Sequence, residues 1–136
     1  MKLHHYGFAT KSIEKSSNAF KLLGYEIVSE KIYDPLQGVE ILFIKNDADH
    51  LIELVAPAQP ENPVSKILSK SGCSIYHICY EVEDLEAAIT QLKNNKYLVV
   101  LKPTPAIAFN NRYISFLYHP QLGLIELLQK NNELHI

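Results

Sequence analysis

Two histidines and two glutamates stand in duplicated surroundings. Glu53 and Glu126 are each the third residue of a Leu-Ile-Glu-Leu run (51–54 and 124–127), 73 positions apart, and Phe43 repeats as Phe116 at the same interval. Upstream the interval is 72: His5 repeats as His77, Ile13 as Leu85, Phe20 as Leu92, Lys21 as Lys93 and Tyr25 as Tyr97. One unit has been written twice, and the duplication selects His5, Glu53, His77 and Glu126. Two neutral imidazoles and two carboxylates suit a single divalent ion that accepts five or six ligands, such as Zn²⁺, Mn²⁺, Co²⁺, Ni²⁺ or Fe²⁺. Two carboxylates cancel the charge of such an ion, and the remaining positions are open to water or substrate oxygens. The competing reading is four ordinary strand-surface residues; duplication of both pairs favours the metal.

The elements that must carry these groups are strands. In residues 2–10 alternation puts Leu3, His5, Gly7 and Ala9 on one face, and in 74–82 it puts Ile75, His77 and Cys79 on one face. The repeat therefore prefers His5 to its neighbour His4, which matches Tyr76 and reads as a packing or rim residue. Each glutamate interrupts an apolar run, so its face must be wet, paired or metal-bound, because an unpaired buried carboxylate is costly.

Around them, Ser12 offers an N-cap to a helix over about 13–23, with Ile13, Phe20 and Leu23 inward and Gly24 ending it. Strands follow at about 25–33, 38–45 and 50–56, with turns at Asp34-Pro35 and Asn46-Asp47. A connector over 57–73 contains Pro57, Pro60 and Pro63 and a short helical stretch from Val64 to Lys70. The second copy opens with the strand 74–82. Asp84 then caps a helix in which Leu85, Ala88, Ile89 and Leu92 recur at helical spacing. Strands near 97–102, 112–118 and 123–129 complete it, with KPTPAIAFNN read as a loop. The expected organisation is one domain of two repeats, about 1–57 and 74–130, each strand, helix, three strands.

At 136 residues with 47% hydrophobic and 21% charged content, the chain can bury a core as one soluble domain. A net charge of −2 and a single arginine, Arg112, argue against a nucleic-acid partner. No apolar run reaches membrane-spanning length and no signal peptide opens the chain, so neither a membrane nor export is expected. Cys73 and Cys79 match no metal or redox spacing and read as reduced thiols of a cytoplasmic protein.

HHYGFAT, DPLQGVEILFI, LIELVAP, YHICYEVEDLEAAI and NNRYISFLYHPQLGLIELLQ together resemble the vicinal oxygen chelate superfamily, also called the glyoxalase/bleomycin-resistance family. Within it the likeness is to methylmalonyl-CoA epimerase-like proteins, where the Asn-Arg, His-Pro and terminal Ile-Glu-Leu of the last stretch are characteristic. The resemblance implies an α+β fold of two tandem βαβββ modules forming an eight-stranded cupped mixed sheet, with helices outside and a metal in the cup. It also implies a homodimer. By position His5, His77 and Glu126 match the family's metal ligands, and Glu53 falls where a fourth is often found. Tyr76 departs from the His-His that epimerase-like sequences often carry there.

The implied chemistry is proton abstraction beside a chelated carbonyl of a small-molecule substrate, through an enolate. Glu126 is the first choice for ligand and base, with Glu53 or Glu40 opposite. Lactoylglutathione lyase chemistry and Fe(II) extradiol dioxygenation use related sites. A bleomycin-resistance type of binding protein uses the same fold without the ligand quartet. Asn110, Asn111 and Arg112 read either as a substrate anchor, with Arg112 gripping an anion, or as a turn with a surface-paired arginine. One arginine and scattered lysines offer little to the phosphates of a coenzyme A carrier. Tyr76, Tyr80, Tyr113 and Tyr118 read as packing residues. His50, His119 and His135 read as exposed turn or tail residues.

Overall fold

The computed structural model describes residues 1–131. The final NNELHI (131–136), read from sequence as a frayed end, lies outside the described residues except for Asn131, and so does His135. Two compact units are present: His5–Tyr76, and His77 onward together with Met1–His4. The divisions fall immediately before the two repeated histidines, His5 and His77.

The first unit contains most of β1 (Lys2–Ala9), then α1 (Ile13–Lys21), β2 (Glu26–Ile27), β3 (Ile32–Asp34), β4 (Val39–Lys45), β5 (Leu51–Pro57) and α2 (Ser65–Ser71). Its strands run in the order β2-β4-β5-β1, with β3 also on β4. β1 lies parallel to β5, and the other pairings are antiparallel. The second unit contains most of β6 (Ser74–Val82), then α3 (Leu85–Lys93), β7 (Leu98–Ala106), a 3-10 turn (Ile107–Phe109), β8 (Arg112–His119) and β9 (Gly123–Gln129). Its order is β6-β9-β8-β7, with β6 parallel to β9 and the rest antiparallel.

The class is α+β with mixed strand pairing, as expected. Among the described residues there are nine strands rather than eight. The extra one arises because the stretch expected as one strand over 25–33 is broken into β2 and β3. At the break the Ser29 hydroxyl, rather than a backbone carbonyl, accepts from the Phe43 N–H at 2.9 Å. The matching edge strand of the second unit is also irregular. β7 shifts register between Val99 and Leu101 and again between Leu101 and Thr104, and the Ser115 hydroxyl donates to the Leu101 carbonyl at 2.6 Å.

Most of KPTPAIAFNN is therefore strand and 3-10 turn rather than loop. Pro103 and Pro105 suggested a loop because proline lacks a ladder donor. At the edge of a sheet that donor would face away from the neighbour, so prolines are tolerated there.

Both long helices start where a polar side chain caps them. Ser12 Oγ accepts from Lys15 N at 3.2 Å, and Asp84 Oδ1 from Ala87 N at 3.1 Å; each cap is worth about 1 kcal/mol. Ile13 packs with Leu42, Ile44, Ile52, Leu54 and Ala56. Leu85, Ala88 and Ile89 pack with Leu117, Ile125 and Leu127. Burying each of the leucine and isoleucine side chains among these contributes about 1.5–3 kcal/mol. Gln129 fastens α3 to β9, accepting from Leu85 N at 2.9 Å and donating to the Glu83 carbonyl at 2.6 Å.

Leu23 is not inward as expected. α1 ends at Lys21, and Leu23 is 70% exposed. Gly24 takes φ 91° just beyond, and Lys96, its equivalent in the repeat, takes φ 72° after α3.

The connector does carry a helix, and it is anchored. Val64 and Leu68 are buried. The Gly38 carbonyl accepts from Ala58 N at 2.9 Å and Gln59 N at 3.1 Å. None of the described helices is long and apolar enough to cross a membrane.

Candidate metal centre

Strand register builds the same arrangement in each unit. In the first, Glu53 of β5 stands opposite Gly7 of β1 on one side and Phe43 of β4 on the other. His5, two residues before Gly7, shares that face. Its Nε2 lies 3.5 Å from Glu53 Oε1, and its ring meets Phe43 edge-on with centroids 6.1 Å apart. In the second, Glu126 of β9 stands opposite Cys79 of β6 and Phe116 of β8. His77, two residues before Cys79, places Nε2 3.1 Å from Glu126 Oε1 and meets Phe116 edge-on at 5.3 Å.

Alternation explains a glutamate inside an apolar run. The flanking residues Ile52 and Leu54, like Ile125 and Leu127, point to the helix side and fill the cores. The glutamates point to the other side, and that side is also covered. His5 is 1% exposed, Glu53 5%, His77 2% and Glu126 2%. The solvent-facing alternative for the glutamates is thus removed.

A buried carboxylate costs several kcal/mol unless compensated. Each of these has an imidazole nitrogen beside it. The donor set fits a divalent ion: oxygen and nitrogen ligands at about 2.0–2.2 Å from one ion lie roughly 3.0–3.5 Å from each other. The two His–Glu separations of 3.5 and 3.1 Å match that spacing, and all four residues are chemically able to ligate.

Glu40 and Arg112 have other partners. Glu40 is opposite Tyr33 and Ala56, three positions from Phe43 on β4, hence on the opposite face from Glu53. Its Oε2 is 3.5 Å from Lys31 Nζ in an exposed ion pair.

Arg112 Nη1 is 3.0 Å from Glu81 Oε2 and donates also to the carbonyls of Gln129 (3.4 Å) and Lys130 (2.6 Å). Its guanidinium lies 5.9 Å from the centre of the Phe109 ring. Lys130, nearby, holds its proton more tightly than an ordinary lysine because it donates a hydrogen bond to Glu83 and feels that carboxylate's charge. Asn110 and Asn111 both take positive φ, 55° and 65°, in the turn leading to β8, a conformation asparagine tolerates.

His4 meets Phe109 edge-on at 5.5 Å. Tyr113 and Tyr118 are exposed, whereas Tyr76 and Tyr80 are half-buried. His50 is exposed, but His119 is half-buried against Tyr97. Cys73 is exposed and Cys79 is buried. Phe43 and Phe116 were not expected at the site, although their interval of 73, the same as the glutamates', was a usable signal.

The profile of the Glyoxalase/Bleomycin resistance protein/Dioxygenase superfamily matches residues 4–116. A mitochondrial methylmalonyl-CoA epimerase of Dictyostelium discoideum is 31% identical, over 95% of this chain and 78% of its own length. An ethylmalonyl-CoA/methylmalonyl-CoA epimerase of Cereibacter sphaeroides is 32% identical, over 94% and 97%. Among solved structures, methylmalonyl-CoA epimerase from Mycobacterium tuberculosis superposes with a TM-score of 0.83 at 25% identity, covering 98% of this chain and 91% of that one. The chain belongs to the glyoxalase/bleomycin resistance protein/dioxygenase superfamily, in its methylmalonyl-CoA epimerase-like branch.

Proposed function

We propose that this chain is a metal-dependent epimerase that inverts the carbon between the thioester and the carboxylate of an alkylmalonyl-CoA. The observation that carries the reading is the duplicated buried pair, His5 with Glu53 and His77 with Glu126, each in the same strand register. Relatives named for alkylmalonyl-CoA thioesters support the substrate class and outweigh the scarcity of arginine noted in the sequence.

His5, Glu53, His77 and Glu126 would together hold one divalent ion, of the Zn²⁺, Co²⁺, Mn²⁺, Ni²⁺ or Fe²⁺ class. When bound, the ion supplies Lewis-acid stabilisation of charge developing on the substrate's carbonyl oxygen. The imidazoles serve in their neutral form. Their burial excludes water, which strengthens every polar interaction there.

Inversion requires a proton taken from one side of the carbon and returned from the other. The carboxylate oxygens of Glu126 and Glu53 are the acid–base groups in this reading, with Glu126 first. Glu40, exposed on the other face and paired to Lys31, drops out of that role. Arg112 remains a candidate anchor for an anionic group through guanidinium nitrogens other than Nη1, with Asn110 and Asn111 shaping the turn before it. A cytoplasmic homodimer belongs to the same proposal.

The test is exchange of the substrate's C2 proton. Incubated with methylmalonyl-CoA in D₂O, the metal-loaded protein should incorporate deuterium at C2, followed by NMR or mass spectrometry, faster than buffer alone. Exchange at the buffer rate with Zn²⁺, Mn²⁺, Co²⁺, Ni²⁺ and Fe²⁺ each supplied would overturn the proposal.

A further inference from the structure

Each unit repeats a third residue together with its histidine and glutamate. Phe43 is the direct antiparallel partner of Glu53, and Phe116 of Glu126. Both rings stand nearly perpendicular to the neighbouring imidazole, at 83° in each case, and both phenylalanines are buried, 7% and 8% exposed. From register, geometry and duplication together we infer that Phe43 and Phe116 are positioning residues of the metal centre, one for each His–Glu pair. This rests on the metal-binding reading above.

The physical argument has two parts. An imidazole on a strand can rotate about its terminal side-chain torsion, which is broad. An aromatic ring set edge-on against it narrows that freedom, because edge-to-face contact is preferred at these separations. The same phenylalanine holds the strand position directly opposite the glutamate, and in this inference its apolar ring limits the water that reaches the carboxylate. A carboxylate with less water to lose binds a dication more tightly, and the apolar surroundings of a site tune its metal in this way.

Leucine removes the ring while keeping an apolar side chain, and tyrosine keeps the ring. Co²⁺ is the probe, because its visible absorption reports ligand geometry. We expect Phe116→Leu and Phe43→Leu each to weaken Co²⁺ binding about tenfold in chelator competition, the lower range for residues supporting ligands. Each should also shift the visible spectrum. Phe116→Tyr should keep the wild-type spectrum.

Leu117→Val is the structural control. It lies on the other face of the same strand and is fully buried, so it should lower the melting temperature and leave Co²⁺ affinity and spectrum unchanged. Wild-type affinity and spectrum in both leucine variants would overturn the inference. So would loss of Co²⁺ binding in Leu117→Val equal to that in Phe116→Leu, since the effect would then be general loosening. Failure of the wild-type protein to bind Co²⁺ would overturn the metal reading itself, a distinguishable result.

Discussion

His77 Nε2 lies 3.1 Å from Glu126 Oε1, with the two side chains 1% and 3% exposed. An imidazole and a carboxylate this close and this dry are either a hydrogen-bonded pair or two ligands of one ion. The equivalent pair, His5 and Glu53, is 3.5 Å apart.

Metal content separates these two alternatives. Protein purified without a metal-affinity tag should carry about one divalent ion per chain by mass spectrometry. His77→Ala and His5→Ala should each lose it, because a four-ligand site stripped of one imidazole loses most of its affinity. Retention of the ion in either variant would exclude that histidine as a ligand.

Acid–base chemistry can be tested at Glu126. Glu126→Gln should slow C2 deuterium exchange by about 10²-fold or more, the scale of a positioned general base. Glu40→Gln should leave exchange within about twofold, since an exposed ion pair on the opposite face is worth about 1 kcal/mol at most. Equal losses in the two variants would contradict the facial assignment of Glu40.

The repeat also identifies a stability defect. Gly24 and Lys96 occupy the same position after their helices, both with positive φ. A residue with a side chain is penalised there by about 1–2 kcal/mol, and glycine's extra unfolded-state entropy offsets about half of that. Lys96→Gly should therefore stabilise by about 0.5–1 kcal/mol, raising the melting temperature by about 2–4 °C. A lower melting temperature would show that the lysine side chain makes a compensating contact.

Gly38 should tolerate nothing larger. It has φ 70°, and an added Cβ would sit 2.5 Å from the Glu61 carbonyl oxygen, a backbone atom. Gly38→Ala should destabilise by about 2 kcal/mol or more, measured by urea unfolding. It should do so without loss of bound metal in the folded protein. An unchanged midpoint would mean that the connector shifts freely away from β4.

Much of this was legible in the chain because it is local. Side-chain alternation along a strand, a capping serine or aspartate and the helical spacing of Leu85, Ala88 and Ile89 need no distant partner to be read. Duplication supplied the rest, selecting His5 over His4 and linking Glu53 to Glu126. The same local reasoning misread Leu23 as inward, because helix periodicity does not say where the helix stops. It misread Pro103 and Pro105 as loop, because a proline does not reveal that its strand is an edge.

The sequence by itself determined which residues could ligate and which strands carry them. The tertiary structure alone decided what stands beside each one. Opposite Glu53 are Gly7 and Phe43, and opposite Glu126 are Cys79 and Phe116. It also decided that Glu40 faces away and that Arg112 is held by Glu81. These depend on inter-strand register. Register is fixed by hydrogen bonding and packing between segments distant in the chain, and a one-residue slip would exchange the faces of a strand without changing a letter of its pattern.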